Sequence, residues 1–334
     1  MNKIKLCPQL VGDLIPNHRA IMENSYRISG HESFPCRYTW LPKTMRGLQT
    51  NPRLFSDDES AMVSLGVGKN MVRSIRFWAQ VTGMAEPLAR NSGYQPTKVG
   101  QLVLGADGFD PFLEDIRTLW LIHWKLSTNI KNPLLAWDYL LNKWQETDLV
   151  QSRILKELQQ EALKVDDNLS DVTLEQHFET FLHTYIPTRG RKGEVQEDNL
   201  DCPLVELGLL AKVGERETEK TPGRREPIYN FNREEKPEIS SELFAYCLND
   251  FWKNRHPMDE TLPFREIAHG PGSPGRVFKL AEEDIRLRAE RLARETDGYF
   301  TYNESSVLQQ VRRTNWRNPD TLLTEIYSKE LAYA

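Results

Sequence analysis

The stretch SDDESAMVSLGVGKNMVRSIRFWAQVTG, residues 56–83, constrains the fold most, because two helical patterns meet there across a double glycine. Ser56 followed by Glu59 makes a capping box, in which the hydroxyl and the carboxylate satisfy backbone donors left free at a helix start. Gly66 and Gly68 permit a tight reversal after Leu65, and a second helix is expected from Lys69 to about Val81, closed by Gly83. At about 100° per residue, Met71, Val72, Ile75, Trp78 and Ala79 share one side of that helix, while Lys69, Arg73, Arg76 and Gln80 share the other. A short helix, a tight turn and a helix with a basic face form a helix–turn–helix, whose second helix enters the major groove. Asn70 is placed to read adenine, and the polar loop Arg90-Asn91-Ser92-Gly93 before YQPTKVGQLVL has the form of a wing that touches the DNA backbone. The alternative is that the stripe is only a solvated face.

The length of 334 residues suits two or three domains of roughly 100–200 residues each. Composition and periodicity divide the chain into an N-terminal arm (1–28), a winged-helix-like DNA-binding domain (29–110) and a helical linking domain (111–168). A second winged-helix-like unit (169–239) and a C-terminal helical domain (240–334) follow. In 111–165, Trp120, Trp124, Trp137 and Trp144 recur with leucines at helical spacing and read as core. LVQSRILKELQQEAL (149–163) reads as a charged helix ended at Asp166-Asp167-Asn168, and TLEQHFETFLHTYI as an amphipathic helix stopped by Pro187. PLVELGLLAKVG and PIYNFN read as a short helix and a hairpin. The expected class is mainly α with small β wings, in several helix–turn–helix or winged-helix units.

The N-terminus lacks the apolar core and cleavage site of a secretory signal. No stretch approaches the roughly 18 apolar residues of a membrane span, so a soluble cytoplasmic chain without membrane contact is expected. Cys7, Cys36, Cys202 and Cys247 are too scattered for a structural zinc site. A net charge of -5 does not itself indicate nucleic acid, but the cations are clustered. Arg189, Arg191 and Lys192 sit within four residues, and Arg286, Arg288, Arg291, Arg294, Arg312, Arg313 and Arg317 crowd the C-terminal part.

The blocks SGHESFPCRYTWLPK (29–43), LGVGKNMVRSIRFWAQVTGM (65–84), DIRTLWLIHWKLS (115–127), DCPLVELGLL (201–210) and PGSPGRVFKL (271–280) resemble, in the same order, the SspB family. The likeness spans roughly residues 29–325. It implies a place in an Ssp single-stranded DNA phosphorothioation system used in antiphage defence, beside a cysteine desulfurase, an ATPase and an ATP-pyrophosphatase resembling PAPS reductase. It also implies that the chain nicks one strand of duplex DNA. The rival readings are a non-catalytic subunit that positions the sulfur-transfer proteins on DNA, and a transcriptional regulator.

Strand cleavage calls for a divalent metal such as Mg2+ or Mn2+ held by carboxylates, or for a nucleophile with a base, together with cations near the phosphate. His31, Glu32 and Arg37 supply a base, a ligand and a phosphate clamp; the alternative is that His31 caps a helix and Glu32 pairs with Arg37. Glu197, Asp198 and Asp201, near Glu206, offer oxygen ligands for a metal, or else form a solvated acidic loop. Glu114 and Asp115 with His123 can share a helix face, although that stretch reads mainly as core. The GPGSPGR turn (270–276) can present Gly272, Ser273, Gly275 and Arg276, followed by Lys279, to the DNA backbone, but lacks the ending of a nucleotide-binding P-loop. Cys202 stands among acids that raise a thiol pKa, which argues against a sulfur-carrying role.

Overall fold

In the segment that opens the fold, helix starts and stops follow local chemistry. The computed structural model describes residues 26–89, 93–165, 169–187, 202–218, 223–305, 307–314 and 319–328. Helix α1 (Trp40–Thr50) is followed by α2 (Asp58–Leu65) and α3 (Lys69–Val81). A short hairpin, β1 (Ala85–Pro87) and β2 (Tyr94–Pro96), then leads into α4 (Lys98–Leu104). The cap of α2 is Asp57, one residue later than the Ser56–Glu59 box predicts, and its carboxylate accepts from the Ser60 N–H at 2.9 Å. Ser56 is unsuited because its own N–H donates to the Arg53 carbonyl in the preceding turn. Gly66 ends α2 at φ 67°, a left-handed conformation that a Cβ opposes, and α3 begins three residues later.

The middle of the chain surrounds α5 (Ile116–Ser127), where Leu119, Trp120, Leu121, Ile122, Trp124 and Leu126 are all buried, the pattern of a core helix. Helix α6 (Leu135–Asp138) widens into one π-helical turn over Tyr139–Lys143. Strand β3 (Asp148–Val150), α7 (Gln151–Ala162) and α8 (Asp171–Tyr185) come next, then a 3-10 turn at Pro203–Leu207 and the strands β4 (Leu210–Glu217) and β5 (Arg225–Phe231). Leu149 and Val150, expected to start a helix, belong instead to β3, because they pair with Tyr229 and Ile228. The three strands form an antiparallel sheet in the order β3-β5-β4.

The final stretch runs α9 (Ser241–Arg255), β6 (Thr261–Pro263), α10 (Phe264–His269), α11 (Pro274–Phe278), α12 (Glu282–Glu295), β7 (Phe300–Glu304), β8 (Gln309–Arg313) and α13 (Pro319–Ile326). Its antiparallel sheet has the order β6-β8-β7, again with the first strand beside the last. The described chain is thus mainly α with small antiparallel sheets. One contiguous apolar core joins these stretches, with the expected tryptophans inside it. The Trp137 indole N–H donates to the Tyr185 hydroxyl at 3.0 Å, the Trp120 ring meets Phe278 edge-on, and the Trp124 indole N–H donates to Asp250 at 2.8 Å. Among the described residues, no helix is long and apolar enough to cross a membrane.

Candidate nucleic-acid interface

Helix α3 buries Val72, Ile75, Phe77, Trp78, Ala79 and Val81, and the Trp78 indole N–H donates to the Phe34 carbonyl at 2.9 Å. That anchorage turns the opposite side outward. Lys69 and Asn70 are exposed there, and Arg73 and Arg76 are half-exposed. Asp58 of α2 stands between two of the cations, 3.5 Å from the Lys69 ammonium and 3.7 Å from the Arg73 guanidinium. Pairs this long and solvated contribute little, so a phosphate can compete for both side chains. Arg27 extends the stripe. Its guanidinium lies 4.4 Å from the Phe77 ring centroid and donates to Gln80 Oε1 at 3.0 Å, so Gln80 holds an arginine in place. Burial and then the charge of Arg76 depress the Arg27 pKa.

The proposed catalytic set separates in space. His31 is 4% exposed and stacks against His177 of α8, a partner that sequence reading missed. His31 Nδ1 accepts from the Ser33 N–H at 3.1 Å, and His177 Nε2 accepts from the Ala136 N–H at 3.1 Å. His31 Nε2 lies 3.2 Å from both His177 Nδ1 and the Ile28 carbonyl, so the two rings are joined to each other and to that carbonyl. Burial, aided by Arg27, pushes His31 down to about 4; burial, then the adjacent His31 imidazole, pushes His177 down to about 3. Buried, with both ring nitrogens engaged inside the protein, His31 forms a joint in place of the expected helix cap or base. Glu32 is half-buried at φ 50°, and Arg37 lies against the rings of Phe34 and Trp40 without an ion pair to Glu32.

At the 270–276 turn, the expected backbone donors are used internally. Gly272 N–H donates to Asn142 Oδ1 at 2.8 Å and Ser273 N–H to the Gly270 carbonyl at 3.0 Å. The Ser273 side chain caps α11. Lys279 is corrected as a DNA contact, because it is 6% exposed and its ammonium donates to the carbonyls of Leu140 and Leu141. Burial, together with the charges of Arg233 and Arg276, pushes its pKa down to about 7. Cations do gather here: Arg276 stays half-exposed with its Nε–H donating to the His269 carbonyl, and the Arg255 guanidinium lies against Gly272. Arg233 and Arg255, distant in sequence, carried no signal of this proximity.

The remaining candidates divide. Asp115 caps α5 and pairs with Arg117 at 2.6 Å, whereas His123 is buried between the Tyr185 hydroxyl and the Val277 carbonyl, so these residues form no joint site. Arg286, Arg288 and Arg294 are held by carboxylates of α12, and Arg313 packs on Trp252. Cys202 is buried. The wing tip Arg90-Asn91-Ser92, the turn Asp166-Asp167-Asn168, Arg189, Arg191, Lys192, Glu197, Asp198, Asp201, Arg317 and arm residues 1–25 lie outside the described residues. Among those described, no group of three or more His, Cys, Asp or Glu side chains is arranged to hold a metal ion.

Residues 28–327 match a family described as a protein of unknown function, DUF4007. No match was found among curated proteins. Among solved structures, the chain is similar to one described as "Magnesium ion-bound SspB crystal structure", with 25% identity and a TM-score of 0.75, covering 90% of this chain and 86% of the other. A second, "SspB crystal structure", shares the fold at 23% identity and a TM-score of 0.75, covering 91% of this chain and 88% of that one.

Proposed function

The chain belongs to the DUF4007 family, and on that premise we propose that it is the duplex-DNA-binding component of an Ssp-type phosphorothioation system, working beside the other proteins of that system. The likeness to solved SspB structures supports the system. The carrying observation for DNA is the outward row of Arg73, Arg76 and Arg27 on and beside α3, anchored from behind by Trp78 and Phe77.

In this reading α2, α3, β1 and β2 form a winged-helix-like unit with α3 in the major groove, and Arg255 and Arg276 meet the backbone farther along. The orders β3-β5-β4 and β6-β8-β7 support two further units of the same kind, since a strand, helices and then a hairpin whose last strand joins the first is winged-helix topology.

Replacing Arg73 and Arg76 by alanine tests the proposal. Affinity for duplex DNA should fall, and the slope of log affinity against log salt should flatten by about one per lost phosphate contact. Unchanged affinity and slope would remove α3 from the interface. Nicking with Mg2+ or Mn2+ is the finer reading, supported by the likeness to a magnesium-bound SspB structure. Among the described residues no group of three or more His, Cys, Asp or Glu side chains fits a metal ion. Supercoiled plasmid converted to open circles by the pure protein only when metal is added would support nicking; plasmid left intact favours the non-catalytic recognition subunit.

A further inference from the structure

The loop between α4 and α5 turns two aromatic rings outward: Phe112 is 62% exposed and Phe109 is 42% exposed. Phe109 stacks on Tyr327, just past α13, with ring centroids 4.8 Å apart and planes 8° from parallel. Phe112 is held outside by a rigid turn. Leu113, next in the chain, is buried at φ 63°, a left-handed conformation that its Cβ opposes. The buried carboxylate of Asp110 fixes the turn, accepting from the Glu114 N–H at 2.8 Å and the Asp115 N–H at 3.0 Å. Strain of this kind persists only where the surroundings over-determine it, and such places cluster at ligand-binding sites.

The charge beside the rings supplies an independent sign. The Arg46 guanidinium lies over the Phe112 ring, 5.7 Å from its centroid. Lys43, one turn earlier on the same face of α1, donates to the Leu65 carbonyl at 3.4 Å, at the end of α2. The two cations therefore lie between the α2–α3 turn and the rings, and α1 packs against both α3 and α4. Both are exposed, and among the described residues neither has a carboxylate within ion-pair distance. Outward aromatic rings next to unpaired cations are the chemistry that takes a nucleotide, since every base has a π face and brings a phosphate with it. Bases inside a duplex already have both faces stacked, so such rings select an unpaired one. The exposed carboxylates of the loop itself, Asp107 and Glu114, repel a phosphate, which leaves the base to the rings and the phosphate to α1.

We propose that Phe112, Arg46 and Lys43 bind an unpaired nucleotide adjoining the duplex on α3, with its base stacked on the Phe112 ring and its phosphate at Arg46. This deepens the duplex-binding reading and rests on it for the position of the double-stranded part. A proline-rich peptide is the other ligand that exposed aromatic rings take, but it carries no anion to meet Arg46 and Lys43.

The test uses the full-length protein and fluorescein-labelled DNA, followed by anisotropy. A blunt duplex is compared with the same duplex carrying a short thymidine overhang, and with that overhang made abasic, which keeps the phosphates and removes the bases. The thymidine overhang should bind about tenfold tighter than the abasic one, the gain expected from one stacked base. Phe112→Ala should erase that difference and leave affinity for the blunt duplex unchanged, and Phe112→Trp should restore it. Arg46→Ala should weaken both overhangs and flatten the salt slope by about 0.7, the value for one single-strand phosphate. Overhangs bound equally by the wild type, or a difference that survives in Phe112→Ala, would overturn the proposal. Overhangs bound alike together with Phe112-dependent binding of a proline-rich peptide would give the rings to a protein partner, and the proposal would fall. A thymidine oligomer set against its abasic counterpart, with no duplex present, reads the Phe112 site alone, so loss of blunt-duplex binding in Arg73→Ala/Arg76→Ala is a separate result.

Discussion

The contact between His31 and His177 shows how burial of two adjacent rings sets the acid response of the molecule. Burial keeps both rings neutral, against the Ile28 carbonyl, which favours the protonated form. His123 is also neutral, pushed down to about 4 by burial and enclosed between Tyr185 and Val277. An unfolded histidine takes its proton near pH 6.5, so the unfolded chain binds protons that the folded chain refuses between about 6.5 and 4. Stability is therefore full above about 6.5 and falls as pH drops through that window, by up to about 1.4 kcal/mol per pH unit for each ring. Urea midpoints measured from pH 7 to 4.5 check this, and a flat profile would contradict it. His177→Gln should make the profile shallower. Lys279 illustrates the same rule for a cation: with its ammonium held by Leu140 and Leu141 carbonyls, Lys279→Met should leave the salt dependence of DNA binding unchanged, whereas Arg276→Ala should reduce it.

At the scale of elements, α2 and α3 are set at their angle by a single left-handed residue. Gly66 has open space where a Cβ would sit, so a side chain there meets no neighbour and opposes the fold only through φ 67°. Gly66→Ala should cost about 1–2 kcal/mol, the usual penalty of a left-handed L residue. A drop in the thermal midpoint, with DNA affinity retained at low temperature, is the expected pattern. The π-helical turn has a different partner: the wide turn at Tyr139–Lys143 delivers two carbonyls to Lys279, and Asn142 receives the Gly272 N–H. Two segments more than a hundred residues apart are thereby locked together.

For the whole molecule, α5 is the axle. Arg117 donates to the Ile326 carbonyl at 2.7 Å, His123 to the Val277 carbonyl at 3.0 Å, and Lys125 pairs with Asp250 at 3.1 Å. Phe278 packs between Trp120, His123 and Trp124. Phe278→Ala removes a fully buried ring from this junction and should cost about 3–5 kcal/mol. A loss below about 1 kcal/mol in denaturant melts would show that the junction is not central.

Helix α3 was legible from its residues because its message is periodic: the residues away from the basic stripe are buried, Gly68 caps its start and Gly83 follows its end. The burial of the tryptophans and the existence of α8 were legible for the same local reason, although its start at Asp171 lies before the TLEQ stretch. Short range suffices for caps, turns and stripes. The fate of His31, the enclosure of Lys279, the recruitment of Arg27, and strand β3 at Leu149 depended on partners at His177, Leu140, Gln80 and Tyr229. No periodicity encodes such meetings, since burial and hydrogen-bond partners across long sequence separations exist only once the chain has packed. The sequence by itself determined which segments turn and which face is basic; the tertiary structure decided which polar groups are consumed inside and which remain for a ligand.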